Sequence, residues 1–354
     1  MKNLLLRFLI RLLKIPRFGC WLAEVIAFFK TLACLNFKQV ENTVLHFRPE
    51  LKDDRKKLKQ LRNKVIRDGL RHKMLWKEYF LFRFDHISEK EKREYIGDIE
   101  RGLLIKRVCT FESKRLFENK YKCYETFKPY YRREIIMVKS RDDFPAFEAF
   151  FNRHDRFMVK NLRGAFGKGN YISDNSGDIG ETFNKCLSVA PCVVEELIKG
   201  NEKLEAFHPQ SINTIRISTF IKDDIVHPLF STIRFGVGDH VVDNAGSGGV
   251  YAAIDIKTGK IISNGVDKSG NEFESHPDSN MKFKGYQIPR WKELLETLEI
   301  VARIVPDQQY VGWDFTLNDK EEWVMVEGNA GGQFGYQYAV HRGLRSVLAE
   351  FMMW

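Results

Sequence analysis
The sequence predicts an α+β protein: a charged, helical N-terminal part followed by two mixed units of strand and helix. Three observations carry this. Up to about Cys109 the chain has helical spacing and dense charge. From about Phe111 short runs rich in β-branched and aromatic residues alternate with helical stretches. Near the C-terminus, Tyr310 to Asn329 reads YVGWDFTLNDKEEWVMVEGN, two short strands around the polar turn Asn318-Asp319-Lys320-Glu321. A chain of 354 residues exceeds one ordinary domain, and 44% hydrophobic with 29% charged residues is a globular composition. The expected division is 1–37, 38–110, 111–198 and 199–354.

The first of these, MKNLLLRFLIRLLKIPRFGCWLAEVIAFFKTLACLNF, sets Arg7, Arg11 and Lys14 as one basic stripe on a Leu/Ile/Phe helix that Pro16 ends. A second apolar segment, about Phe18 to Phe37, carries Glu24 and Lys30. Charges inside the apolar run argue against a secretory signal, and no charge-free run reaches the roughly 18 residues of a spanning helix. Two readings stay open: basic amphipathic helices lying on an anionic membrane surface, or helices packed on the rest of the protein.

From Glu41 to Cys109, Lys and Arg are interleaved with Asp and Glu, which reads as solvated helix faces. Ser88 with Glu91 forms a capping box, and KEYFLFRF (Lys77 to Phe84) is the aromatic face turned to a neighbour. The net charge of +10 raises the question of nucleic acid, but no nucleic-acid-binding signature accompanies it and none is expected as a partner. The six cysteines form no CxxC or zinc spacing, so they read as reduced, buried thiols of a cytoplasmic protein.

Beyond Phe111 a helix (FESKRLFENKYKCYETFKPYY) leads to a strand at Glu134–Val138, a helix at Asp142–Phe151 and a strand at Arg156–Lys160. The loop Gly164 to Gly169 has the composition of a phosphate cradle, with Lys168 adding charge. It is neither a Walker A loop nor a dinucleotide fingerprint, and a glycine-rich hairpin turn is the plainer alternative. The strand CVVEELI (Cys192 to Ile198) then enters Lys199-Gly200-Asn201-Glu202, a hinge between two units. Strands follow at INTIRISTFI, VHPLFSTIRFGVG and VVDNAGSGGVYAAID, with Arg216 and Arg234 in alternating strands where they need an anionic partner. Trp291 to Ile304 and Tyr338 to Phe351 read as helices. None of His208, His227 or His341 sits in a nucleophile or HExxH motif, and they read as surface or core histidines.

In the hairpin, alternation puts Glu327 and Asn329 on one face. Folded symmetrically about the turn, Asp314 lies across from Glu327, with Thr316 pointing the same way. Asp314, Glu327 and Asn329 then make an all-oxygen cluster of the kind Mg²⁺ prefers beside phosphates. The alternative is a solvated acidic face.

Taken in order, the strand ending at Lys160, the glycine loop, VVEELIKGNE and the D…E-x-N hairpin resemble the ATP-grasp superfamily of carboxylate–amine ligases, over about Phe111 to the C-terminus. INTIRIST, DNAGSGGVYAAID and VEGNAGGQ look most like its sugar-transfer, polysaccharide-associated branch. The resemblance implies an ATP-grasp fold of two α+β units gripping ATP, preceded here by a helical region where most members carry an α/β domain. It implies ATP and Mg²⁺ as cofactors. Lys120 and Lys160 would hold phosphates, with Gly164, Gly167, Lys168 and Gly169 closing over them. The run Glu195, Glu196, Leu197, Ile198 would receive the adenine and Glu202 the ribose. Asp314, Glu327 and Asn329 would ligate the metal, and Arg216, Arg234 and Lys160 would serve the transferring phosphate or substrate carboxylate.

The implied reaction activates a carboxylate as an acyl phosphate for attack by an amine, on small molecules of sugar- or lipid-linked type, at the inner membrane face. The runners-up are an ATP-grasp phosphotransferase and a non-catalytic membrane-associated adaptor that binds ATP.

Overall fold
The computed structural model describes residues 11–15, 17–163, 169–238 and 248–352. Its strands, in chain order, are β1 (Ile135–Val138), β2 (Arg156–Asn161), β3 (Tyr171–Asp174), β4 (Cys192–Glu196), β5 (Thr214–Lys222), β6 (Ile225–Phe235), β7 (Val250–Ile254), β8 (Gly265–Val266), β9 (Glu272–Phe273), β10 (Tyr310–Leu317) and β11 (Trp323–Asn329). They form two sheets, a four-stranded one ordered β1-β4-β2-β3 and a seven-stranded one ordered β11-β10-β5-β6-β7-β8-β9.

Every strand pairing is antiparallel. Side chains of the large sheet therefore divide cleanly by parity. One face sends Ile215, Ile217, Ile233, Trp313 and Phe315 into a core with Trp291, Leu294, Leu298 and Val301 of the helix Trp291–Arg303. That helix has the expected start and an apolar stripe at helical spacing.

On the opposite face Phe220, Phe230 and Tyr310 pack against Leu104 and Ile105 of the helix Asp98–Val108 and against Leu348 and Phe351 near the C-terminus. The N-terminal helices are thereby fastened to the sheet. Gln337 strengthens the joint, accepting from the Ile96 N–H and donating to its carbonyl, both at 3.0 Å. The aromatic run Lys77–Phe84 does turn inward, with Tyr79, Phe82 and Phe84 in one cluster with Trp76 and Tyr95. The Ser88–Glu91 capping box is present.

Three expectations need correction. The stretch from Phe111 is two helices, Phe111–Phe117 and Lys120–Tyr131, because Asn119 caps the second by accepting from the Lys122 N–H. The closing helix is also two, Tyr336–Val340 and Arg345–Met352. His341 takes a left-handed φ of 49°, and Gly343 lies so close to Glu94 that a Cβ there would meet its backbone at 2.2 Å. None of the six cysteines forms a disulfide, yet Cys34 is exposed and Cys20 half-buried.

The hairpin shows why its register works. From the turn outward Leu317 pairs with Trp323, Thr316 with Val324 and Phe315 with Met325; then the register shifts and Asp314 pairs with Glu327. An unshifted ladder would set Val326 against Asp314. The bulge at Val326 is what delivers the carboxylate pair.

Candidate functional site
The site grows from one row across the large sheet. Glu327 on β11 faces Asp314 on β10, which faces Arg216 on β5, which faces Thr232 on β6. Arg234 stands two pairs along, opposite Thr214. Asp314 is fully buried, and Arg216 binds it as a fork, Nε to Oδ1 at 2.7 Å and the second nitrogen to Oδ2 at 2.5 Å. Arg234 reaches the same Oδ2 at 2.9 Å and donates to the Thr214 hydroxyl. Burial pushes the Asp314 carboxyl upward, but Arg216 and Arg234 outweigh it and hold the group below the usual carboxylate range. Arg216 is held firmly protonated: burial opposes its charge and Asp314 more than restores it.

Asn329 closes the cluster, its amide donating to Asp314 Oδ2 and to Glu327 Oε1, each at 3.2 Å. The three expected side chains are therefore gathered in one place, with the Asn329 amide nitrogen facing both carboxylates. The donors are not equivalent. Both Asp314 oxygens already meet guanidinium groups, whereas the Glu327 side chain is 44% exposed and 3.9 Å from the nearest Arg216 nitrogen.

Facing this row is the small sheet. Lys160 on β2 forms an ion pair with buried Glu195 on β4. Lys120 opens its helix beside them; its amide donates to the Leu162 carbonyl at 3.2 Å, just ahead of the glycine loop. Burial lowers the Lys120 pKa, Lys160 lowers it further, and Glu327 and Glu195 work in the other direction. Lys120 thus senses carboxylates of both sheets. Gly169 has a φ of 77°, while Gly164, Gly167 and Lys168 lie outside the described residues.

Past β4, Leu197 and Ile198 leave the sheet. Glu196 is tied to the β1 side by two bonds with the Glu134 backbone, one from its N–H and one to its carboxylate, each 3.0 Å. Glu195 does not point into open space: Arg133 donates to its Oε2 at 3.1 and 2.8 Å. Glu202 is exposed at the start of the short helix Glu202–Glu205. The segment read as a hinge is pinned, since Asn201 donates to the Leu317 carbonyl and Asp319 to the Lys199 carbonyl, both at 2.9 Å.

Arg133 is the residue that sequence reading missed. Beyond Glu195, its side chain donates to the carbonyls of Met325 at 2.7 Å and Val326 at 3.2 Å. It therefore holds the bulge that sets Glu327 and joins the two sheets. Its only trace in the sequence is an arginine just ahead of an apolar strand, which marks nothing by itself. The histidines fall as expected: His208 is core, and His227 and His341 are half-buried.

Residues 188–352 match the family described as sugar-transfer associated ATP-grasp. Among curated proteins nothing matches. Solved structures similar to the chain include D-alanyl-alanine synthetase A from Vibrio cholerae, 10% identical with a TM-score of 0.40 over 65% of this chain and 61% of that one. N5-carboxyaminoimidazole synthetase from Staphylococcus aureus, complexed with ADP, is 14% identical with a TM-score of 0.40 over 68% and 52%. L-amino acid ligase from Bacillus licheniformis is 13% identical with a TM-score of 0.40 over 66% and 46%. The chain spans less than two thirds of the length of each of these three proteins. Over residues 188–352, a little under half of its length, the chain is similar to the sugar-transfer associated ATP-grasp family.

Proposed function
We propose that the chain is an ATP-dependent carboxylate–amine ligase that forms an amide on a sugar- or glycan-linked precursor, in the synthesis of cell-surface polysaccharide. The observation that supports it is the meeting of Glu327, Asp314 and Asn329 with Arg216 and Arg234 on one sheet, near Lys120 at the start of its helix and Lys160 on the other sheet. Mg²⁺-ATP, when bound, supplies the phosphoryl group that turns the substrate carboxylate into an acyl phosphate. The chain's own part is positional and electrostatic. Glu327 and Asn329, with Asp314 behind them, are the oxygen donors for the metal. Lys120 and Lys160 neutralise phosphate oxygens. Arg216 and Arg234, fixed by Asp314, keep positive charge where the transferring group gathers negative charge. Glu196 and Ile198 offer backbone groups to the adenine and Glu202 a carboxylate to the ribose.

Glu327→Ala tests this directly. Its side chain is 44% exposed, so the variant should fold normally. ATP turnover should fall on the order of 10²-fold or more, with an unchanged circular dichroism spectrum. Near-normal turnover would refute the site. ADP release that needs both an amine and a carboxylate separates a ligase from a phosphotransferase acting on a hydroxyl.

A membrane-surface role for the N-terminus is supported by an inverted helix. Phe18–Ala33 buries its small residues Gly19, Ala23, Ala27 and Thr31. Its large ones, Phe18, Trp21, Phe28, Phe29 and Leu32, are exposed. These lie on one face at spacings of three and four, opposite the small stripe. Exposed Arg11, Lys14, Arg17 and Lys30 flank them. A helix facing water alone would bury the aromatics instead; this one suits the interface of an anionic bilayer. Among the described residues no single helix is long and apolar enough to cross a membrane; Phe18–Ala33 and Phe37–Phe47 pass the length and composition test only as a pair bent by 88°. Deleting residues 1–37 should release the protein from vesicles containing anionic lipid, and unchanged co-sedimentation would sink this role.

A further inference from the structure
We infer that His208, His276 and Asp278 form a second metal site, selective for a borderline divalent cation of the zinc class and separate from the oxygen-lined cluster. One potential ligand atom from each lies within 4.8 Å of the other two. The three residues come from two chain segments, one after the helix Glu202–Glu205 and one from the turn between β9 and the helix Trp291–Arg303.

The hydrogen bonding fixes the chemistry of His276. Its Nε2 lies 2.8 Å from the Gly236 carbonyl. A carbonyl only accepts, so Nε2 carries the proton and Nδ1 presents a lone pair. That lone pair accepts only a long bond, 3.3 Å, from the Asp278 N–H. A histidine that gives its far N–H to a backbone carbonyl has the outer-shell arrangement common to metal-bound imidazoles. His208 brings Nδ1 to 3.2 Å from Asp278 Oδ2, and the same oxygen accepts from the Gly238 N–H at 2.8 Å, which orients the carboxylate. Both rings are buried, at 1% and 0% exposed, while the Asp278 side chain is 41% exposed. The site thus has rigid walls and an opening to solvent.

Two imidazoles and one carboxylate leave a fourth position for water or another ligand, as in open zinc sites. Nitrogen donors also disfavour Mg²⁺, which distinguishes this cluster from Asp314, Glu327 and Asn329. A cation here would clip the 276–278 turn to His208 beside Gly236, just past the end of β6 and two residues beyond Arg234. Gly236 is shaped for this packing: a Cβ there would meet the His208 ring at 2.5 Å.

The test uses the full chain, stripped with a chelator and dialysed against Zn²⁺, with metal analysis, thermal melting and the visible spectrum of the Co²⁺-substituted protein as readouts. The wild type should bind one Zn²⁺ at this site and melt higher with it. Asp278→Asn keeps the shape and an acceptor for the Gly238 N–H, and its half-exposed position spares the fold. It should bind at least about tenfold more weakly and lose the Co²⁺ spectrum. Glu327→Gln should bind zinc like the wild type, so this result stands or falls independently of nucleotide chemistry. No zinc uptake by the wild type, or equal uptake by Asp278→Asn, overturns the site.

Discussion

Replacing Arg133 by Met tests the joint between the sheets. The side chain is 3% exposed and its partner Glu195 5%. Met fills similar space but removes the donors to Glu195 and to the Tyr131, Met325 and Val326 carbonyls. Breaking a buried pair from one side costs about 3–5 kcal/mol, because the remaining charge stays buried. Lys160 remains beside Glu195, which favours the lower end of that range. The carbonyls left behind add to the loss. Equilibrium urea unfolding of the wild type, Arg133→Met, Glu195→Gln and the double variant measures this. The single variants should each destabilise, and the double variant should lose at least about 1 kcal/mol less than their sum. A loss under about 1 kcal/mol for Arg133→Met, or strict additivity, would refute the idea that this pair fastens the two sheets.

Other perturbations follow from the same structure. Asp314→Asn leaves Arg216 and Arg234 buried without their shared anion, and unfolding should become easier by about 3–5 kcal/mol. Asp314 has a depressed pKa, so its contribution is present above the unfolded carboxylate value and is lost as pH falls through the folded one; the acid side of the stability curve should flatten in the variant. Glu78 has the opposite sign. Burial raises it from 4.5 to about 7, so its contribution is complete below 4.5 and is lost as pH rises through 7. Relative to Glu78→Gln, the wild type should lose about 3 kcal/mol across that window, read from urea midpoints at a series of pH values.

The hairpin was legible because alternation alone fixes which side chains share a face. The pairing of Asp314 with Glu327 was expected as well and is present, but the bulge at Val326 through which it arises was not. Nothing local announces a bulge held by a distant Arg133. The break in the closing helix was better marked, and Gly343 should have ended it. The strands of the small sheet appeared where apolar runs predicted them, but the engagement of Glu195 by Arg133 and Lys160 depends on strand order, which periodicity does not encode. The His208–His276–Asp278 group was hidden for the same reason: residues 68 apart have no spacing to read.

The β10–β11 hairpin is gripped at both ends. Arg133 holds the carbonyls of Met325 and Val326, and Lys199 and Asn201 are bonded to its turn at Asp319 and Leu317. A swing of the small sheet about the connecting segment would therefore drag Glu327 with it. Freedom is left to the outer lip, where β3 is an edge strand joined only to β2. A sheet pair built this way keeps its carboxylates and their cationic supports in fixed register.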